Sequence, residues 1–270
     1  MSWASRRRAI YGTGVSLFFL VVIGGPIAYH ILTIPPTCTD GKQNGGETGI
    51  DIGGPCPVLD PSALQQQAIL WARAFKVRDG TYSAAAYVQN SNRDAGVMRA
   101  RYRFGLYDAN NILVAERGGV MFIMPGAITP VLEDRIDTGN RVVAHTNFCF
   151  ADGYGNCDAS GASLTWERMK NTALVIDINN KQLTNTDTMP RLSASAENTS
   201  VADVVGPSFV AVIFDPAGNA FAASATTLDR IRAGASSPIV FTWPDLFNII
   251  AGRTDVTPML PPVVIPAPGQ

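Results

Sequence analysis

The sequence predicts an all-β protein: two β-sandwich domains in tandem, preceded by one membrane-spanning helix. Three observations carry the prediction. An uncharged apolar run follows three arginines near the start of the chain. Short strand-like segments separated by turn residues fill most of the remainder. One pattern of segments also occurs twice at a fixed offset.

The chain has 270 residues, room for two domains of ordinary size, an anchor and linkers. It carries 21 basic and 22 acidic residues, a net charge of -1. That balance argues against nucleic acid as a partner, which needs a concentrated basic face.

The anchor comes first. Residues 1–8 include Arg6, Arg7 and Arg8, and residues 9–34 form an apolar run with no charge in it. Roughly 20 apolar residues cross a bilayer core, so the run is long enough. Arginines on its N-terminal side hold that end in the cytoplasm and place the bulk of the chain outside. Pro26 is expected to kink the helix and His30 to sit near the outer interface. A cleaved signal peptide needs a small-x-small site after a shorter apolar core. Residues 28–30 offer none, and Pro36-Thr37 before Cys38 is a poor lipidation box. The expected state is a retained single-pass anchor, with the lipid bilayer as its partner.

Cysteines fall into two local pairs, Cys38 with Cys56 and Cys149 with Cys157. An exported chain meets oxidising conditions, so two disulfides are expected. Zinc would need four ligands in close groups, and the one histidine outside the apolar run is His145.

Residues 35–62 read as a linker. The segment 38–56 resembles a short loop common in bacterial surface proteins, of the form C-x-D-G-x-Q-N-x-x-E-T-G-x-D-C-G-G-x-C, with Ile52 where that pattern has a third cysteine. Asp40, Asn44, Glu47 and Asp51 are hard oxygen donors spaced among glycines, a set that can wrap calcium, although the spacing is not that of an EF-hand. The alternative is a disulfide-closed flexible stalk whose polar side chains face water. Pro55, Pro57 and Pro61 then read as a spacer.

Beyond the linker, two ranges are expected to fold alike, 63–170 and 171–260. Asn90 and Asn198, Gly126 and Gly234, and Pro130 and Pro238 each stand 108 residues apart. A period of that size means domain duplication rather than a solenoid. In the first copy, residues 83–88 are an apolar strand. Met98, Ala100, Tyr102, Phe104 and Leu106 alternate with Arg99, Arg101 and Arg103, the period-two pattern of a half-buried antiparallel strand. Residues 108–111 supply a hairpin turn. In the second copy, residues 209–214, 215–219 and 220–224 form the same strand, turn and return.

Phe104-Gly-Leu-Tyr-Asp108 matches the F-x-L-Y-D signature, and residues 71–134 resemble the FxLYD domain, an immunoglobulin-like module of bacterial surface proteins. The second copy is a degenerate repeat, with Ala211-Val-Ile-Phe-Asp215 lacking the leading Phe. The resemblance implies a β-sandwich without catalytic activity and with no settled ligand. Phe104 and Leu106 are expected in the core, Tyr107 on the opposite face, and Asp108 capping the turn. The tail, 261–270, is proline-rich and expected to be extended and mobile.

No constellation for catalysis stands out, and His145 lies in an alternating stretch with no evident orienting carboxylate. Arg99, Arg101 and Arg103 form a basic stripe suited to an anionic envelope polymer or an acidic protein patch, or simply to a solvated sheet face. The expected role is structural, adhesive or protein-binding at the cell envelope. The alternative is an accessory subunit of an envelope assembly such as a secretion or pilus system.

Overall fold

An apolar segment can satisfy its own backbone hydrogen bonds as a helix, and the first segment does so. In the computed structural model, which describes residues 3–33, 37–158 and 163–266, helix α1 (Trp3–Phe19) runs through a π-helical turn (Leu20–Gly24) into α2 (Gly25–Thr33). The wide turn ends just before Pro26. Proline lacks the N–H that would bond the preceding turn, and a local change of pitch accommodates this. The window Ile10–Tyr29 is apolar enough to cross a membrane and buries none of itself against the rest of the chain. Ile34, Pro36 and the last four residues of the tail lie outside the described residues, as do the side chains of Arg6 and His30.

The remainder is β-structure. The first copy contributes β1 (Ala68–Arg78), β2 (Thr81–Gln89), β3 (Ala95–Tyr107), β4 (Leu113–Ile123), β5 (Ile128–Asp137), β6 (His145–Ala151), β7 (Cys157–Asp158) and β8 (Glu167–Lys170). The second contributes β9 (Ile176–Thr184), β10 (Arg191–Asn198), β11 (Val204–Val205), β12 (Ser208–Phe214), β13 (Ala220–Thr227), β14 (Arg230–Ile231), β15 (Ser236–Thr242) and β16 (Arg253–Met259), and β17 (Val263–Val264) follows. Each copy is an immunoglobulin-like sandwich with one topology. Sheet β1-β2-β5 faces sheet β4-β3-β6, and β9-β10-β15 faces β13-β12-β16, with every pairing antiparallel.

The repeat extends to single side chains. Asn90 and Asn198 are fully buried at the ends of β2 and β10. Asn90 Nδ2 donates to the carbonyls of Ala95 and Met124, and Asn198 Nδ2 to those of Ala202 and Ile231. Each Oδ1 accepts the backbone N–H two residues on. A buried amide satisfies loop carbonyls that no strand can reach.

The hairpin turns use a second repeated device. Asp108, Asp152 and Asp215 each accept the backbone N–H four residues ahead, from Ile112, Asn156 and Asn219. Those N–H donors hold all three carboxyls below the usual carboxylate range. The fourth residue of each turn needs positive φ, supplied by Asn111, Gly155 and Gly218.

The sandwiches do not hang apart like beads. The outer face of β1-β2-β5 packs on the outer face of β13-β12-β16 through Trp71, Phe75, Ala85, Tyr87 and Leu132 against Val210, Val212, Phe214, Ala220, Ala223 and Met259. Trp71, Tyr87 and Phe214 form an aromatic triangle with centroids 4.6–6.0 Å apart. The result is four sheet layers with three apolar cores between them. β2 and β12 are therefore covered on both faces, and Tyr82–Val88 and Phe209–Phe214 are buried throughout.

Three expectations need correction. Met98 does not share the core face of β3: a bulge between Val97 and Ala100 turns Met98 and Arg99 outward and brings Val97 in. The beginning of the tail is held, because β17 pairs with β8 and Ile265 N–H donates to the Arg168 carbonyl. The proline spacer is docked as well. Leu59 N–H donates to the Trp166 carbonyl, and Arg168 N–H to that of Pro57. The segment 166–170 is thus a junction that also pairs with the start of β3 through Ala95 and Gly96.

Candidate binding surfaces

The loop after the N-terminal helix is closed by the Cys38–Cys56 disulfide. Inside it, buried Glu47 accepts the backbone N–H groups of Asn44 and Asp51, both at 3.2 Å. Asp51 adopts φ 58° and accepts from Gly41 N–H. Asp40 accepts Lys42 N–H and Asn44 Nδ2, and the bond from Asn44 holds its carboxyl below the usual range. The four oxygen donors singled out as calcium ligands do gather in one loop. Their carboxylates, however, are turned onto the loop's own donors. Among the described residues, the group close enough to share an ion is Cys38, Glu47 and Cys56, and its two sulfurs are bonded to each other. Two close approaches need glycine, since a Cβ at Gly53 would collide with Thr48 and one at Gly54 with the Gly46 carbonyl.

The outer face of β4-β3-β6 carries the arginine stripe. Arg99 and Arg101 are exposed. Arg103 is half-buried, pairs with Glu116 at 3.3 Å, and lies 3.2 Å from Cys157 Sγ. The Cys149–Cys157 disulfide closes a hairpin over this face, with Tyr154 94% exposed at its tip. Phe104 and Leu106 fill the core as expected, and Tyr107 lies outside, folded over Gly105. Its ring stacks on His145 at 5.2 Å, so the candidate base is one half of an aromatic pair. On the inner side, Tyr102 donates to Glu133 across the sandwich at 2.6 Å, and burial followed by that carboxylate raises its pKa.

Two clefts open where the sandwiches meet. One, of about 510 Å³, continues the central core outward from Phe75 and Leu132 to Phe221, Trp243 and Phe247. The other, of about 540 Å³, runs between residues 72–76 of β1 and residues 143–146, with Ala220 and Phe221 as its far wall. Arg73, Lys76 and His145 line it without a carboxylate. Arg73 crosses to the second sandwich and donates to Asn219 Oδ1 and the Ala220 carbonyl. Thr146 Oγ1 is buried in the same region without a hydrogen-bond partner. Sequence reasoning passed over Arg73, Lys76 and Thr146, because what unites them is separated by some seventy residues of chain. The one local signal is Arg73 itself, a cation inside the otherwise apolar run 68–75.

No family model and no curated protein matches the chain. Among solved structures it is similar to that of red sea bream transglutaminase, at 10% identity and a TM-score of 0.25, over 73% of this chain. The chain spans 31% of that protein's length, and a likeness at this level carries no argument about activity.

Proposed function

We propose that the chain is a single-pass membrane protein that holds a rigid, non-catalytic body of two immunoglobulin-like sandwiches outside the cytoplasm, as a structural or protein-binding element of the cell envelope. The observation that carries this reading is the first helix, whose apolar window finds no cover in the rest of the protein. Two disulfides support an oxidising location. The linker's docked end supports a presenting role, since residues 57–59 are tied to the first sandwich. The surfaces on offer are the arginine stripe with its disulfide hairpin, and the clefts between the sandwiches.

The test is fractionation of cells expressing the full chain, followed by alkaline extraction, external protease treatment and N-terminal sequencing. The reading expects an intact N-terminus, resistance to extraction and a body accessible from outside. A soluble product beginning after residue 30 would replace the anchor with a cleaved signal. A body protected from external protease would place it on the wrong side.

A further inference from the structure

The outer face of β4-β3-β6 is unevenly neutralised. Tyr102 and Phe104 point into the core, so Arg101 and Arg103 point out, and Arg99 lies on the same side past the bulge. Arg103 is paired with Glu116. Arg99 and Arg101 are exposed and make no ion pair, hydrogen bond or ring contact with any described residue. Residues 1–2, 34–36, 159–162 and 267–270 contain no aspartate or glutamate, so none of them brings an acidic side chain to the stripe. The cross-strand neighbours are uncharged as well: Val120 stands opposite Arg101, and Gly118 and Cys149 flank Arg103.

An aromatic ring is presented at the same end of the stripe. β6 runs antiparallel to β3 with Phe150 opposite Tyr102, so the chain beyond Phe150 continues toward the Arg99 end. There it turns over residues 152–156 and returns through Cys157, which pairs with Ala151. Two devices fix that turn. The Cys149–Cys157 disulfide closes it, and the Asp152 carboxylate accepts the N–H groups of Tyr154 and Asn156. Tyr154 stands at its tip, 94% exposed. A ring held on a closed turn loses little freedom when a ligand covers it.

We propose that this face binds a polysaccharide carrying repeated anionic groups, which lays successive charges on Arg99 and Arg101 and a sugar ring against Tyr154. Charge complementarity names the anion. Two free guanidiniums stand one pleat apart, roughly 7 Å, and each offers a planar fork to a pair of anionic oxygens. Tyr154 names the sugar, since its ring gives an apolar face with a polar tip. The scarcity of apolar surface separates a polymer from a protein partner. A specific protein interface buries about 1,000 Å² or more around an apolar centre. Here β4 exposes Val120 and, at its far end, Leu113, and two separated side chains do not form such a centre. The inference goes beyond protein binding and rests on the placement of the body in the envelope. Its test uses purified protein, so its failure is separable from a failure of that placement.

The experiment uses the full chain in nonionic detergent and a fluorescein-labelled octamer of galacturonic acid. Anisotropy should show saturable binding that weakens as salt is raised. Arg99→Glu combined with Arg101→Glu should weaken it about tenfold or more, and Tyr154→Ala about fivefold. All three side chains are exposed, so the melting temperature of each variant should stay unchanged. The neutral methyl ester of the octamer should not bind. Absence of binding up to roughly millimolar octamer would overturn the proposal. So would binding that survives the double charge reversal. Polyglutamate of equal charge that binds as tightly, and is indifferent to Tyr154→Ala, would overturn it too and assign the face to an acidic protein.

Discussion

The two sandwiches share a topology, a buried asparagine and an aspartate turn, yet they place one large aromatic on different sheets. In the first, bulk comes from β3: Phe104 and Tyr102 pack on Phe148, with centroids 4.9 and 5.7 Å away. In the second, the position of Phe104 is taken by Ala211, and Phe241 enters the core from the facing sheet. The residue 108 positions before Phe241 is Glu133, the acceptor for Tyr102. A large side chain stands on the facing sheet instead. Cores tolerate such exchanges when total volume is preserved. A degenerate signature therefore does not mean a degenerate fold.

The largest test of this comparison breaks the contact between the halves. Phe214→Ala empties the central core, and losing a buried aromatic costs about 3–5 kcal/mol. A single melting transition of the full chain in calorimetry should divide into two, one for each sandwich. A single transition that merely shifts would mean that cooperativity does not depend on that face. Next in size, Asn90→Ala and Asn198→Ala should each destabilise by about 1–3 kcal/mol in chemical denaturation, because two buried carbonyls lose their donor in either case. Similar losses would make the asparagines equivalent; a large difference would show that one loop has another support.

A smaller effect concerns the edges. Lys181→Ala removes one exposed cap from β16 and should change stability by less than about 1 kcal/mol. Hydrogen exchange near Thr254 should nevertheless rise, because its carbonyl loses the Lys181 donor. The smallest effect is acid lability. The turn carboxyls have folded-state pKa values below their ordinary value, so their contribution is complete above the unfolded value of about 3.9 and is lost as pH falls through the lower folded values. The melting temperature should fall below roughly pH 4. Asp108→Asn with Asp152→Asn should flatten that fall more than Asp215→Asn, since two of these turns belong to the first sandwich.

Much of this molecule was legible in the chain. The apolar N-terminal helix declared itself by length, both disulfides by local spacing, and the duplication by the constant offset of Asn90 and Asn198. The face-to-face stacking was not read, although a signal existed. Residues 82–88 do not alternate, and a strand with apolar or small residues on both faces is covered on both faces. Which surface covers it is another matter, because Trp71 and Phe214 meet across more than a hundred residues and leave no periodic trace. The bulge at Met98 and the two-residue strand β17 escaped for a different reason. A bulge shifts the register without changing composition, and two residues are too few to show a period. At the loop 38–56, residue type showed which side chains carry oxygen donors, while their orientation depended on where the backbone N–H groups fell.

The junction at residues 166–170 has a consequence for where the two ends of the β-structured body lie. A tethered body ordinarily carries the far end of its polypeptide away from the tether. Here the incoming linker and the outgoing β17 grip the same short segment, so whatever follows Ile265 emerges at the root. β3 leaves that junction and runs 13 residues outward, about 40 Å, to the Asp108 turn. The leading tip is thus made of hairpin loops rather than a chain end. A reporter fused downstream of Ile265 would sit at the linker end of the body and leave that tip unobstructed.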